Sequence, residues 1–308
     1  MADEQERLAR IKPNLERRAL IYQSTRAFFR RCRFLEVETP VRMSAVAPES
    51  YIVPFDSEGW FLSTSPELYM KRLLAAGYER LFQISHCFRK GECGRQHNSE
   101  FAMLEWYRSG AGYRQVVQDA EQLVAMLADK LLGGYSLKYR GQIIDLSLPW
   151  PEITVRDAFL QAAGWDPVTE LDPVRFDTDL VAKVVPGFSP HRPTVLLDYP
   201  AAMASLARLK PHEPAVAERA EIFIGGLELA NAFSELTDAA EQKKRFQAEI
   251  KQIQQEEKRE VTMPWPFLEA IAHLPECGGI ALGMDRLVML LCNATSIDEV
   301  VAFTEDTA

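Results

Sequence analysis

The sequence lacks the features of membrane, secreted and disulfide-stabilised proteins. No apolar run approaches the roughly 20 residues that a membrane-spanning helix needs, and residues 1–18 are too charged for a secretory signal. None of the five cysteines belongs to a CxxC pair, so neither a disulfide framework nor a zinc site is indicated. These absences predict a protein of the reducing cytoplasm that makes no membrane contact.

Positive charge is also scarce, except at the start of the chain. The sequence has 35 Lys and Arg against 44 Asp and Glu, a net charge of −9. Residues 1–33 carry nine basic and four acidic residues, a balance of +5, which leaves −14 for the remainder. Extended non-specific RNA binding is therefore not expected. The basic segment is interpreted as a solvated helix face, with docking to an acidic partner or an RNA backbone as the alternative.

Prolines mark the ends of the first predicted elements. Residues 13–31 predict a helix, because the proline at the start suits a first turn and apolar residues follow at helical spacings. FLEVETP, at 34–40, alternates apolar and acidic residues like a strand and ends in proline. Another helix is predicted to begin at Ser65 and Pro66, with the serine as its cap.

The remaining elements predict antiparallel strand pairs rather than βαβ units. Segments 81–89 and 100–108 are predicted strands joined by a polar loop, and EIFIGGLEL, at 221–229, predicts a hairpin with two glycines at its turn. Helices are predicted at about 114–132, 154–163, 173–185 and 239–260. This pattern favours an α+β fold, with an N-terminal extension over 1–12 and one catalytic domain over 13–308.

Three segments combine strand ends with charged residues. FLEVETPV ends a strand in proline, CFRKGECGRQHNSEF…EWY places an arginine where the first of two strands ends, and GGIALGMDRLVML places one where a strand turns into a helix. Each alone is weak, because an arginine at a strand end is more often part of a surface ion pair. In this order and with these spacings, they resemble motifs 1, 2 and 3 of class II aminoacyl-tRNA synthetases.

The resemblance narrows to the lysine branch of that class. TSPELYMKRLL, HNSEFAMLEWY, GLELANAFSELTD and ALGMDRL resemble active-site segments of lysyl-tRNA synthetases, and still more those of the short paralogue family that lysylates elongation factor P. The resemblance runs from about residue 13 to residue 303. It implies the class II catalytic fold, a largely antiparallel sheet flanked by helices. It also implies an ATP-dependent ligase that forms an aminoacyl-adenylate.

Activation of a carboxylate on ATP requires positive charge around the phosphates. Arg89 is expected to hold the α-phosphate with its planar fork of donors. Arg286 and Phe101 would sandwich the adenine, whose edge the Asn98 amide can read. The resemblance makes Arg89 and Arg286 the catalytic residues, and it completes the predicted ATP site with Lys90, Gly91, Glu228, Leu229 and Gly283.

Glu221 and Glu228 lie on opposite arms of the predicted hairpin, roughly across from each other. Two carboxylates so placed can hold Mg²⁺ that bridges phosphates. The resemblance implies that they are the metal ligands of this chain.

A lysine-like substrate brings two ammonium groups, so its pocket needs negative charge. By the resemblance, Glu67 lies near the backbone amine, whereas Glu105 and Glu235 grip the side-chain ammonium. Buried carboxylates are costly without a cation, so this set fits a cationic ligand better than the alternative of strand-surface acids. The predicted pocket also includes Ser65, Pro66, Tyr107, Asn231, Phe233 and Ala281.

Four positions depart from the pattern of the lysine enzymes. Gly91 stands in place of a glutamate, which follows one position later as Glu92, and Ser99 replaces a proline. Ala232 and Ala281 both replace glycines. Because an added methyl group takes up volume at the pocket wall, Ala281 is predicted to disfavour α-lysine and to favour an isomer with a shifted amine, such as β-lysine.

The acceptor is inferred from a missing segment and from the resemblance. Lysyl-tRNA synthetases carry an anticodon-binding barrel of five strands before motif 1, whereas residues 1–33 here predict a single helix. Charging of tRNA is therefore not expected, and the resemblance supplies a lysine ε-amine of elongation factor P as the acceptor. Because motif 1 forms the dimer interface in class II enzymes, a homodimer is expected.

Three other functions stay open at the level of sequence. The chain could be a truncated synthetase that charges tRNA, a non-catalytic regulatory module, or a ligase of the aspartate-to-asparagine type. The second predicts loss of Arg89, Arg286 or the Glu221 and Glu228 pair, yet all are present. The third conflicts with the three pocket glutamates, because an aspartate side chain would need arginine.

Overall fold

The computed structural model describes residues 2–256, 259–305 and 307. The helices are α1 (Ala2–Arg31), α2 (Glu67–Ala75), α3 (Tyr113–Leu132), α4 (Val155–Ala163), α5 (Pro173–Asp179), α6 (Ala239–Glu256), α7 (Trp265–Ile271) and α8 (Met284–Cys292). The strands are β1 (Leu35–Glu36), β2 (Arg42–Met43), β3 (Asp56–Ser57), β4 (Trp60–Leu62), β5 (Arg80–Phe88), β6 (Glu100–Ser109), β7 (Ser136–Tyr139), β8 (Gln142–Asp145), β9 (Glu152–Thr154), β10 (Thr194–Pro200), β11 (Leu209–Lys210), β12 (Glu213–Ile224), β13 (Leu227–Ser234) and β14 (Cys277–Gly283). In this part of the chain, no helix is both long enough and apolar enough to cross a membrane.

One large sheet organises the molecule. Its strands run in the order β1-β5-β6-β14-β13-β12-β10-β9, and β11 pairs with β12. Only β1 with β5 and β9 with β10 pair in parallel, and the other pairs are antiparallel. Two small sheets, β2-β4-β3 and β7-β8, stand apart from it. The arrangement confirms the predicted α+β fold, a largely antiparallel sheet with helices around it.

Alternation of side chains along the central strands gives the sheet two different faces. Ala102, Leu104 and Trp106 of β6 point into the main hydrophobic core, where they meet residues of α1, α3 and α8. Glu105 and Tyr107, between them in sequence, therefore point to the opposite face. Helices α2 and α7 cover one part of that second face. This division between two faces keeps the polar side chains Glu105 and Tyr107 out of the main hydrophobic core.

The first helix is longer than predicted. It begins at Ala2 rather than at residue 13, and Pro13 lies inside it. Residues before the proline are fixed by tertiary contacts, because Ile11 is buried and Arg7 Nη2 donates to the Ala302 carbonyl at 2.6 Å. The predicted start was therefore wrong, and the division into an extension over 1–12 and a domain over 13–308 stays a prediction.

The motif 1 strand is shorter than predicted. Of residues 34–40, only Leu35 and Glu36 form a strand, which pairs with β5. The Glu36 carboxylate accepts a hydrogen bond from Arg26 Nε at 2.6 Å, so this end of the segment is held by α1 rather than by further strand pairing.

Other sequence-based boundaries agree closely with the structure. Strands β5 and β6 begin and end within one residue of the predicted 81–89 and 100–108. The hairpin turn has positive φ at Gly225 and Gly226, 59° and 79°, the region that glycine adopts without strain. Its arms, β12 and β13, extend well beyond the predicted segment.

Candidate active site

Strand register brings the predicted pocket residues into rows across the second face of the sheet. In the first row, Glu105 of β6 pairs with Ala281 of β14, which pairs with Asn231 of β13, which pairs with Glu221 of β12. The next row runs from Tyr107 through Gly279 and Phe233 to Arg219. Neighbouring cross-strand side chains lie close enough to interact. The predicted amino-acid pocket and one predicted metal ligand are thus brought onto one continuous surface.

Glu105 is the most enclosed acid on this surface. It is 1% exposed, and its two oxygens accept hydrogen bonds from Ser65 Oγ at 2.7 Å and from the Tyr107 hydroxyl at 2.9 Å. Burial, followed by the neighbouring Glu67 carboxylate, raises the pKa of Glu105 to about 7. A carboxyl group held in this way is ready to ionise when a cation enters.

Residues at the start of α2 form a second wall of the pocket. Ser65 Oγ accepts a hydrogen bond from the Glu67 amide at 3.0 Å while it donates to Glu105, but the N-cap of α2 is Pro66 and not the predicted Ser65, because the helix begins one residue later than expected. Pro66 is buried immediately before the helix. Ser65 thus joins the start of α2 to β6 through Glu105.

Lys71, which the sequence analysis missed, links two of the predicted pocket acids. Its Nζ lies 2.5 Å from Glu67 Oε1 and 2.5 Å from Glu235 Oε2. Burial raises the pKa of Glu235 to about 8 despite the Lys71 ammonium, which opposes the rise, and Glu67 and Glu105 add to it. The pKa of Lys71 is also raised, because the two carboxylates outweigh the effect of burial. The one available sequence signal was the i, i+4 spacing from Glu67.

Gly279 is a second pocket residue that the sequence analysis missed. A β-carbon at this position would lie 2.1 Å from Glu235 Oε1 and 2.4 Å from Tyr107 Cε1. No real side chain tolerates such distances, so the absence of a side chain is what lets this glutamate and tyrosine approach β14. The Gly278-Gly279 pair within a strand pattern was the signal for a close approach.

Glu49, in the segment between β2 and β3, was also missed. Its Oε1 accepts a hydrogen bond from Ser205 Oγ at 3.3 Å. Burial, followed by repulsion from Glu67, raises the pKa of Glu49 to about 7, while Arg89 and Arg219 oppose the rise. A fourth carboxyl group therefore borders the pocket, on the side that faces Arg89.

Arg89 stands where β5 ends, as predicted. Its Nε donates to the Thr64 carbonyl at 3.3 Å, and its Nη1 lies 3.6 Å from Glu92 Oε1. Its guanidinium carbon lies 5.2 Å from the centre of the Phe101 ring. In this state, therefore, Arg89 covers the phenyl face that was predicted to stack with adenine.

Arg286 lies between the hairpin and the motif 2 loop. Its Nη1 donates to the Glu228 carbonyl at 2.6 Å and lies 3.7 Å from Glu228 Oε2, while Nη2 lies 2.6 Å from His97 Nε2. Burial, followed by the charge of Arg286, lowers the pKa of His97. A neutral imidazole that accepts from Arg286 is the result, and the predicted adenine sandwich with Phe101 stays a prediction.

The Asn98 side chain is engaged with protein. Its Nδ2 donates to the Glu100 carbonyl at 2.6 Å, and its Oδ1 accepts from the Glu305 amide at 3.2 Å. The Glu305 carboxylate in turn accepts from Ser99 Oγ at 2.5 Å. Adenine recognition by the Asn98 amide would require this C-terminal segment to move, so that role stays a prediction.

The other residues predicted for the nucleotide site are placed mainly by their backbone. Lys90 donates its amide to the Val53 carbonyl at 2.7 Å, and Gly91 has φ of 85°, which favours glycine in this loop. Leu229 is 2% exposed within the main core, so only its backbone can face a nucleotide. Gly283 directly precedes α8, and a β-carbon at this position would lie 3.5 Å from Arg286 Cδ.

Glu221 and Glu228 lie on opposite arms of the hairpin, as predicted, but they are not direct cross-strand partners. Glu221 pairs with Asn231, and Glu228 pairs with Phe223. The register shifts between these pairs, so Leu229 has no opposite residue and its side chain enters the core. This β-bulge turns Glu228 toward the face that carries Glu221.

The two hairpin acids nevertheless fit a cation. Burial, followed by repulsion from Glu221, raises the pKa of Glu228 to about 7. Glu221 Oε1 accepts from Arg219 Nη2 at 2.8 Å. Among the described residues, Asn231 Oδ1 is buried without a hydrogen-bond partner, and no cluster of three or more His, Cys, Asp or Glu is suited to a metal. Two carboxylates that leave further positions to phosphate oxygens are the usual protein ligands of Mg²⁺.

The Asp285 carboxylate fixes the motif 3 helix to α1 and to the motif 2 strand β6. Asp285 is 4% exposed, and its Oδ1 lies 2.6 Å from Arg18 Nη1 of α1. Its Oδ2 accepts from the Ala102 amide of β6 at 2.8 Å. Because Arg286 is the next residue, this contact sets the direction in which its side chain leaves α8.

The raised pKa of Glu105 predicts a pH-dependent stability difference. Folded Glu105 keeps its proton to about pH 7, whereas the unfolded chain releases it near 4.5, so the stabilisation from this proton is lost as pH rises through the folded value. Glu105→Gln should match the ligand-free parent near pH 5 and melt higher near pH 8, by at least about 2 °C. Thermal denaturation across this range measures the difference. Glu276→Gln, at a side chain that is 78% exposed, is the control, and an equal gap at both pH values contradicts the prediction.

Comparison with known proteins gives one family. A family model described as tRNA synthetases class II (D, K and N) matches residues 5–307. The chain is 36% identical over 315 residues to a lysine–tRNA ligase of Dehalococcoides mccartyi strain BAV1, in a match that covers 93% of this chain and 63% of that protein. It is 38% identical over 315 residues to an elongation factor P–(R)-beta-lysine ligase of Klebsiella pneumoniae, and 37% identical over 313 residues to one of Salmonella typhi. Each of these two matches covers 96% of both proteins.

Proposed function

The chain belongs to the class II tRNA synthetase family of the aspartate, lysine and asparagine enzymes, and we propose that it activates a lysine-type amino acid with ATP and joins it to a lysine side chain of elongation factor P. The observation that carries the substrate is the burial of Glu105 and Glu235, 1% and 2% exposed, beside Glu67. Lys71 pairs with two of these three acids. A ligand with two ammonium groups supplies the charge that the pocket still lacks.

The first half of the reaction follows from the positions of the arginines. A carboxylate oxygen of the amino acid attacks the α-phosphorus of ATP, the bond from that phosphorus to the bridging oxygen breaks, and pyrophosphate leaves. Arg89 stabilises the negative charge on the α-phosphoryl oxygens, and Arg286 holds the nucleotide from the hairpin side. Glu221 and Glu228 would hold Mg²⁺, which would supply positive charge to offset the negative charge of the phosphates.

In the second half, an unprotonated lysine ε-amine of the acceptor attacks the carbonyl carbon of the adenylate. A carbon–nitrogen bond forms, the bond to the phosphate oxygen breaks, AMP leaves, and the amine loses a proton to solvent. The pocket acids keep the amino acid in place throughout, because Glu105 is fixed by Ser65 and Tyr107.

The elongation factor P ligases among the relatives support elongation factor P as the acceptor, because the chain is 38% and 37% identical to two of them over 96% of both proteins. The chain spans 63% of the lysine–tRNA ligase that it matches. Incubation with ATP and labelled lysine isomers, together with either elongation factor P or tRNA, tests the assignment. Label on elongation factor P supports it, and label on tRNA alone supports the second candidate, a lysine–tRNA ligase. Absence of lysine-dependent ATP–pyrophosphate exchange would exclude both.

Ala281 is the residue that we expect to select the lysine isomer. It lies in the first row between Glu105 and Asn231, on the floor of the pocket. Removal of its methyl group by Ala281→Gly should raise kcat/KM for α-lysine relative to (R)-β-lysine by about tenfold, the effect of one methyl group in a fitted pocket. ATP–pyrophosphate exchange kinetics with both isomers measure the ratio of their kcat/KM values. An unchanged ratio contradicts the role of Ala281 in selecting the isomer.

We also propose that the protein is a homodimer through its motif 1 segment. Leu35 and Val41 are 51% and 45% exposed, although both are apolar. A charged side chain at such a position disfavours burial of this apolar surface against a second copy of the chain. Light scattering should give about twice the chain mass of 34.9 kDa, and Leu35→Asp should lower it to that of one chain. A parent protein with the mass of one chain overturns the proposal.

A further inference from the structure

The pocket contains a cation of its own. Lys71, on α2, is 2% exposed, and its ammonium lies 2.5 Å from a carboxylate oxygen of Glu67 on the same helix and 2.5 Å from one of Glu235 at the end of β13. These two acids are 168 positions apart in sequence and belong to different layers of the fold. Within the described residues, Lys71 is the basic side chain that directly bridges them.

The contacts of the Lys71 ammonium with Glu67 and Glu235 determine which of their carboxylate oxygens remain for a ligand. It uses Oε1 of Glu67 and Oε2 of Glu235, so Oε2 of the first and Oε1 of the second remain for other donors. Glu235 Oε1 lies over Gly279, only 2.1 Å from where a β-carbon of that residue would be. One ammonium group of a ligand can therefore approach each acid, on either side of the lysine.

The net charge of the pocket also indicates a ligand with two ammonium groups. Glu49 borders the pocket on the side of Arg89, whose charge opposes the rise in its pKa. The three acids expected to bind the ligand, Glu67, Glu105 and Glu235, carry three negative charges when ionised, and Lys71 supplies one positive charge. The two charges that remain match the two ammonium groups of a diamino acid. Without Lys71, the Glu67 carboxylate would act on Glu235 unopposed by that ammonium, and it already raises the pKa of Glu235.

We propose, on the basis of the proposed function, that Lys71 is a positioning residue that ties Glu67 to Glu235 and so sets the distance between the two amines that the pocket accepts. Glu67 binds the amine near the reacting carboxylate, and Glu235, with Glu105, binds the distal ammonium. A fixed separation between these acids selects one length of diamino acid and rejects its shorter and longer homologues.

Three variants test this role by exchange kinetics. In the parent, kcat/KM should fall when the preferred diamino acid is shortened or lengthened by one methylene, a change worth about 10- to 200-fold in a fitted pocket. Lys71→Met should reduce that discrimination at least tenfold, mainly through KM. Lys71→Arg keeps the positive charge but carries it on a longer, planar group. This variant should therefore bind a diamino acid well, but it should prefer one of a different chain length. Arg72→Met, at the next and exposed position of α2, should behave as the parent.

A pH profile separates a positioning role from a merely structural one. Loss of the Lys71 charge removes the interaction that opposes protonation of Glu235. In Lys71→Met, therefore, the rise of 1/KM with pH should move to higher pH, and Lys71→Arg should reverse the shift. Glu67, Glu105 and Tyr107 also face Glu235, and they are unchanged in both variants.

The controls keep failure of the inference apart from other failures. AMP binding and the melting temperature show whether each variant folds, and if Lys71→Met does not, the length preference of Lys71→Arg decides. The inference alone is overturned if the parent shows ATP–pyrophosphate exchange that depends on a diamino acid, while the Lys71 variants keep the parental length preference and pH profile. A parent that shows no exchange with any diamino acid overturns the proposed function and this inference with it.

Discussion

Arg89→Met is expected to slow amino-acid-dependent ATP–pyrophosphate exchange about 100- to 1,000-fold, the usual effect of removing one preorganised donor from a developing negative charge. Arg89 is placed for this role because it closes β5, is held by the Thr64 carbonyl and lies over Phe101. The loss should appear in kcat, since the amino-acid pocket does not contain this side chain.

The matched control removes one positive charge from a surface strand. Lys138→Met lies on the exposed side of β7, outside the large sheet, and should leave exchange unchanged. Binding of the amino acid to both variants, measured by calorimetry, shows whether the pocket is intact. If Arg89→Met keeps more than about one tenth of the parent rate, phosphate stabilisation by this residue is refuted.

Gly279→Ala should abolish amino-acid binding while nucleotide binding is kept. The new methyl carbon would lie 2.1 Å from Glu235 Oε1 and about as close to the Tyr107 ring, so one of these two side chains must leave its position. Either movement separates the acids that hold the distal ammonium. We expect a rise of at least about 100-fold in KM for the amino acid, similar to the loss of a charge-assisted pair in a buried site.

Gly134→Ala is the matched control, because a β-carbon there would have no atom within 4 Å. It should leave kcat and KM unchanged. AMP binding to Gly279→Ala, measured by calorimetry, reports on the fold and on the nucleotide end of the site. An alanine variant with the parental KM would show that Glu235 and Tyr107 have room that the structure does not show.

The fold class and the two-sided sheet could be read from local patterns. Alternation along LEWY predicts one face for Leu104 and Trp106 and the other for Glu105 and Tyr107, and the structure has this arrangement. The hairpin turn could likewise be predicted from its two glycines, because few other residues adopt positive φ. The start of α1 was not, since long-range contacts such as that of Arg7 with Ala302 extend the helix past its proline.

Several features of the site depend on contacts that no local pattern contains. The β-bulge at Leu229 decides that Glu228 faces the same side as Glu221, and a shift of one residue would have put it in the core. The engagement of Asn98 by Glu305 joins residues that lie more than 200 positions apart. The approach of Glu235 to Gly279 likewise depends on how β13 meets β14.

The sequence by itself determined the kinds of group in the site: arginines at strand ends, paired acids on a hairpin and glutamates for a dication. These follow from short patterns and from the family resemblance, because residue type and spacing are properties of the chain. The tertiary structure alone decided that Lys71 joins Glu67 to Glu235 and that Gly279 makes room for them. The physical reason is that the register of the strands and the packing of α2 on the sheet bring Glu235 to Lys71 and to Gly279, and no local pattern predicts contacts between residues so far apart in the chain.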